Sequence, residues 1–150
     1  MQSHSILDLI PHRPPMVLLD EILEQGPEHM RARMRVSNDK MFVDVAGNFP
    51  AWAGIELMAQ TIAAYGGFQA RAQGLPVQVG FLLGTRRYES ECAHFPPGTE
   101  LTISVHKLLI DEQGLGVFEC RIDSEAGAIS ANLNIYQPLD PDTYLQQGQP

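Results

Sequence analysis

AWAGIELMAQTIAAYGGFQA, residues 51–70, reads as a helix that is apolar on nearly every side. Such a helix is the buried one in a soluble domain, so the rest of the chain has to cover it. The segment lies in the longest uncharged stretch of the sequence, where Glu56 is the only charged residue between Asp44 and Arg71. An ionised carboxylate there costs on the order of several kcal/mol unless it is paired, or else it stays protonated. Glu56 is therefore the first candidate for a proton-transfer residue, expected to be at least partly buried. The plainer alternative is a glutamate turned outward at the helix end, capping a neighbour or meeting solvent.

Gly74 and Pro76 stop the helix at about Gln73, giving expected limits of 51–73. Inside it, Gly66-Gly67 weakens an isolated helix by roughly 1 kcal/mol per glycine relative to alanine. Close approach of a sheet to that face is the expected compensation. Four strands follow with no second helix, roughly 77–91, 99–111, 115–124 and 128–138. The turns between them carry Pro96-Pro97-Gly98, Asp111-Glu112-Gln113-Gly114 and Glu125-Ala126-Gly127. Ahead of the helix, EHMRARMRV (28–36) alternates, with Met30, Ala32, Met34 and Val36 on one face of a half-buried strand. MVLLDEILEQ (16–25) reads as a further strand or strand-turn, and residues 37–50 as loop. One long apolar helix among five or six antiparallel strands is an α+β outline in which the sheet must curl around the helix. That is the hot-dog fold, a single domain over 1–138 with a loose polar tail at 139–150.

Composition narrows the function. With 10 Lys plus Arg against 18 Asp plus Glu, the net charge of −8 argues against nucleic-acid and anionic-membrane binding. Arg86-Arg87 and the Arg31, Arg33, Arg35 series are the clusters available to steer an acidic partner, the latter more simply read as a solvent face. Two cysteines make neither a disulfide framework nor a CxxC metal site, and no His pair shows metal-ligand spacing. No metal or cofactor is expected. No apolar run reaches membrane-spanning length and the first residues do not read as a signal peptide, so a cytoplasmic location is expected.

The chain resembles the hot-dog 3-hydroxyacyl-acyl-carrier-protein dehydratases, and more narrowly the dehydratase-like subunits of aryl polyene gene clusters. The resemblance rests on IPHRPPMVLLDEI (10–22), GNFPAWAGIELMAQ (47–60), GFLLGTRRYE (80–89) and FPPGTELTISV (95–105). It implies dehydration of a 3-hydroxyacyl thioester on an acyl carrier protein, by a loop His of one subunit and a helix carboxylate of the other. The His takes the Cα proton, the protonated carboxylic acid assists departure of the 3-hydroxyl, and N–H groups at the helix N-terminus polarise the carbonyl. Carried over, Glu56 is the carboxylate, Ala53 and Gly54 lie near the helix start, and Gln60 belongs to the ELMAQ motif. Phe81, Leu82, Leu83 and Gly84 would line the acyl tunnel, with Phe49 and Pro50 on the loop before the helix.

The family histidine does not carry over. Gly47-Asn48-Phe49-Pro50 stands where the family has Gly-His-Phe-Pro, and an Asn amide is no general base. His94-Phe95-Pro96 imitates the motif but lies after the helix, as a turn histidine. His12 matches a non-catalytic family histidine and is the best substitute base within the chain, its simpler role being a structural hydrogen bond. Two enzymatic readings follow: a dehydratase needing a His-bearing hot-dog partner, as a homodimer or heterodimer, and an acyl thioesterase with a lone carboxylate. A non-catalytic acyl-binding or stabilising subunit is the third.

Overall fold

The alternation in residues 28–36 becomes strand β2, His29–Arg35, with Met30, Ala32 and Met34 fully buried and Val36 just beyond them. This is identified from a computed structural model that describes residues 5–76 and 80–137. Strand β2 pairs with β1 (Glu21–Gln25) on one side and β6 (Glu100–Ile110) on the other. The sheet continues through β7 (Leu115–Asp123) and β8 (Ile129–Tyr136) to β4 (Phe81–Ser90). Its order is β1-β2-β6-β7-β8-β4, every pair antiparallel. Inward residues Leu101, Ile103, Val105, Phe118, Cys120, Ile122, Ile129, Ala131 and Leu133 are all buried. Register shifts at Ile22/Glu24, Leu82/Gly84, Thr85/Arg87 and Lys107/Leu109 mark where the sheet bends, since a bulge increases local twist.

Helix α2, Gly54–Ala72, fills the curl, its first three expected residues forming instead a 3-10 turn at Ala51–Ala53. Leu57, Met58, Ile62, Ala64 and Tyr65 are buried in the shared core, Tyr65 edge-on to Phe118 of β7, and the buried Thr61 hydroxyl donates to the Leu57 carbonyl at 2.8 Å. One long helix wrapped by a six-stranded antiparallel sheet is the hot-dog fold. A second, two-stranded sheet joins β3 (Phe49–Pro50) to β5 (His94–Phe95). A four-residue helix, α1 (Ile6–Leu9), has no counterpart in the sequence reading, being too short to show a period. The expected tail at 139–150 and the start of the 77–91 strand fall outside the described residues.

The glycine pair is explained differently from expectation. It is the end of α1, not the sheet, that closes on the helix: a Cβ at Gly67 would lie 1.8 Å from the Leu9 carbonyl oxygen. Gly66 faces the Gln137 side chain at an ordinary 3.5 Å. The sheet's close approach is at Gly54, where a Cβ would lie 2.6 Å from the Tyr88 hydroxyl. Gly66→Ala should therefore gain up to about 1 kcal/mol from helix propensity. At Gly67 the same gain is overwhelmed, because backbone cannot rotate away and overpacking costs about 1–3 kcal/mol or more. Thermal unfolding of both variants checks this: Gly67→Ala should melt lower than the parent and Gly66→Ala no lower.

Candidate active site

Residues 10–19 run as a strap along α2 after α1, and one buried amide fastens it. Gln60, fully buried, donates from Nε2 to the Met16 carbonyl at 2.6 Å and accepts at Oε1 from the Leu18 N–H at 2.9 Å. The same Nε2 reaches Glu56 Oε1 at 3.2 Å, one helical turn away. Lys40 holds the other side of the Leu18 peptide, donating to its carbonyl at 3.0 Å while ion-paired to Asp20. Gln60 thus has both ends of its amide engaged by protein and supports the site from behind.

Glu56 is not isolated. Its side chain is 28% exposed, and its Oε1 lies 3.7 Å from His12 Nε2, brought in by the strap. His12 titrates below the ordinary 6.5 because burial outweighs the attraction of Glu56, so the pair is a neutral imidazole facing a carboxyl group near neutral pH. Its Nδ1 is buried with no hydrogen-bond partner among the described residues.

The approach to the helix is fixed from several sides. Asp44 accepts the N–H groups of Ala46 and Asn48 at 2.9 Å each, and its own N–H donates to the Asn48 carbonyl. Gly47 takes the left-handed φ of +87° that this turn requires. The backbone of Asn48 is therefore set by Asp44. The Ala51 N–H donates to Ala93 at 2.9 Å, and its carbonyl accepts the Tyr88 hydroxyl. Burial pushes the Tyr88 phenol up to about 12, so it remains a donor at any working pH. Glu56 lies in the first turn of α2, at the positive end of the helix dipole.

The other sequence-derived residues distribute unevenly. Phe49 and Ala53 are buried, 0% and 1% exposed, and in the single chain belong to the core. Pro50 is half-buried opposite His94, and Gly54 is packed beneath Tyr88. Leu82 and Leu83 stand exposed on edge strand β4, with Phe81 and Gly84 half-buried beside them. His94 is exposed, yet its strand lies directly against the Phe49-Pro50 segment, so the imitation of the motif neighbours the motif's own position. Among the described residues no group of three His, Cys, Asp or Glu is placed to hold a metal ion, and no helix is long and apolar enough to cross a membrane.

The sequence profile of the ApeP-like family, described as ApeP dehydratase, matches residues 4–146. This chain belongs to the ApeP-like dehydratase family. Its fold superposes on a chain of the dehydratase heterocomplex ApeI:P from Xenorhabdus doucetiae with a TM-score of 0.88 and 28% identity, covering 99% of this chain and 100% of that one. It is 29% identical to the 3-hydroxyacyl-[acyl-carrier-protein] dehydratase FabZ of Polynucleobacter asymbioticus, over 88% of both chains. The FabZ of Pseudothermotoga lettingae is also 29% identical, over 78% of this chain and 80% of its own. The ApeP-like chain is a hot-dog dehydratase of the FabZ and ApeP type.

Sequence reasoning missed Tyr88, Lys40 and the strap's path, because each acts through partners distant in the chain. Two measurements test the geometry. Gln60→Leu leaves the buried Leu18 N–H unpaired and removes the part-buried bond to the Met16 carbonyl, and should cost about 1–3 kcal/mol in denaturant unfolding. In an NMR titration His12 should show a midpoint below 6.5, moving further down in Glu56→Gln because the attraction is gone. With the folded pKa depressed, the unfolded chain binds more protons between that midpoint and 6.5, so the His12 contribution raises stability with pH across the window and is lost below it.

Proposed function

We propose that this chain supplies half of a composite dehydratase site, with Glu56 as its general acid and the general base coming from the His of a second hot-dog dehydratase. The carrying observation is a part-exposed carboxyl group held by Gln60 at the start of α2, with Asn48 in the base's sequence position. Membership of a family that resembles the ApeI:P heterocomplex supports a hot-dog partner, and the FabZ relatives support a substrate carried on acyl carrier protein. The substrate is a 3-hydroxyacyl thioester, in fatty acid or aryl polyene synthesis in the cytoplasm.

In the reaction the partner's imidazole removes a Cα proton. The C3–O bond breaks as Glu56 gives its proton to the departing hydroxyl, leaving an enoyl thioester and water. Glu56 must start protonated and the base neutral, which is the division of labour expected of an acid–base pair. N–H groups in the first turn of α2, beyond the Gly54 N–H that already donates to the Ala51 carbonyl, steady charge building on the thioester oxygen. Phe81, Leu82, Leu83 and Gly84 on edge strand β4 receive the acyl chain once a partner subunit closes over them. The exposure of Leu82 and Leu83 in the single chain favours that reading. His12 is the second reading for the base, favoured by its neutral state and its 3.7 Å approach to Glu56.

Assays of a 3-hydroxyacyl carrier-protein thioester with each chain and with the mixture test the proposal. This chain alone should be slower than the mixture by the ~10²–10⁴-fold a general base contributes. Glu56→Gln should lower the activity of the mixture although the base lies on the other chain. Full activity from this chain alone, unchanged by Glu56→Gln, overturns the composite site, whereas activity abolished by His12→Ala transfers the base to His12. Release of free acid instead of an enoyl thioester identifies thioester hydrolysis.

A further inference from the structure

Helix α2 starts without a local fastening. Its N-cap position is Ala53, which has no side-chain oxygen to accept the free N–H groups of the first turn. The fastening comes from the sheet instead. Tyr88 follows the Thr85/Arg87 bulge of β4, stands opposite the buried Ala131, and packs its ring against the core. Its hydroxyl donates to the Ala51 carbonyl, which also accepts the Gly54 N–H. The Ala51 N–H donates in turn to the Ala93 carbonyl at 2.9 Å, so residue 51 is tied at both ends. Burial raises the pKa of the Tyr88 phenol and the Ile55 N–H offsets part of that rise, in keeping with an oxygen lying over the first residues of the helix.

The hydroxyl fits there because residue 54 is glycine. A Cβ at Gly54 would lie 2.6 Å from Tyr88 Oη and 3.1 Å from Cδ1 of both Ile122 and Ile129. Glu56, two residues on, projects about 200° around the helix axis from residue 54. Tyr88 therefore secures the first turn from the core side and adds nothing on the side where Glu56 is part-exposed. A Ser or Asp at position 53 would fasten the same turn by occupying its N–H groups. We propose that Tyr88 is a positioning residue for the dehydration: its hydroxyl fixes the first turn of α2 and so holds Glu56 at the angle from which it protonates the departing hydroxyl. Tyr88 acts through Ala51 and Gly54, not by contact with the reacting atoms. This rests on the assignment of Glu56 as the acid; the hold of Tyr88 on the turn stands by itself.

Tyr88→Phe keeps the ring and removes the hydroxyl, and two readouts test the proposal. The first uses this chain alone. Glu56 is the charge that raises the His12 midpoint, so a Glu56 that loses its place should let the midpoint fall toward its value in Glu56→Gln, as followed by NMR. The second is turnover of a 3-hydroxyacyl carrier-protein thioester by the mixture with a His-bearing partner. There kcat should fall about 10–100-fold, the loss expected of a reacting group displaced by about an ångström, while KM stays unmoved. A change in stability alone moves neither readout below the melting temperature. Melting checks the contact itself: Gly54→Ala should lower the Tm of the parent, and lower it less in Tyr88→Phe, where the hydroxyl met by the new Cβ is gone. A parental kcat, a loss confined to KM, or an unmoved His12 midpoint in Tyr88→Phe overturns the positioning role. An equal loss from Gly54→Ala in both backgrounds overturns the contact. Failure of the acid assignment is read separately, as full turnover of the mixture in Glu56→Gln; the His12 midpoint still reports whether Tyr88 places Glu56.

Discussion

The amide of Gln60 is where backbone, helix and reactive group meet. It lies in the core, it satisfies a buried N–H and a carbonyl of the strap, and its remaining donor capacity falls on Glu56. A buried polar backbone group without a partner costs about as much as a sizeable fraction of the stability of a domain this size. The strap can therefore lie in its position only with that amide beneath it, and the amide's direction is then settled. From this follow the nearness of His12 to Glu56 and the cover over the helix at Gly67. The bond from Lys40 to the Leu18 carbonyl extends the same logic outward to β1, through Asp20.

The electrostatics of the site are asymmetric. His12 sits beside a carboxyl group yet is held neutral, because the strap buries it more than Glu56 attracts its proton. On the loop before the helix, Asn48 offers a side chain that neither takes nor gives a proton. Its backbone is still locked by Asp44, so the loop keeps a defined shape without the reactive group. The composite site proposed above would draw its second proton carrier from a partner subunit.

Much of the fold was legible because it rests on periodicity. The all-round apolar character of residues 51–70 and the alternation of 28–36 depend only on neighbours in the chain, and helix and strand formed where those patterns lay. The site was legible only as a list. Glu56 stood out by its isolation, but the contact with His12 joins residues 44 positions apart, and no local pattern encodes such a distance. Gly67 was visible as an anomaly while its cause, the Leu9 carbonyl, was not. The lead-in at Ala51–Ala53 is a 3-10 turn pinned by Tyr88 and Ala93, tertiary partners that override the helical propensity of its alanines.

The central claim is that Glu56 reaches the reacting hydroxyl while the base comes from another chain. The most direct measurement is a crystal structure of the mixed complex holding a non-reactive analogue of a 3-hydroxyacyl thioester. The account predicts a Glu56 carboxyl oxygen within hydrogen-bond distance of the 3-hydroxyl, about 2.5–3.0 Å, and the partner subunit's imidazole against the Cα hydrogen. An analogue held by an acid and a base both belonging to the partner, with Glu56 still turned to Gln60 and His12, would contradict it.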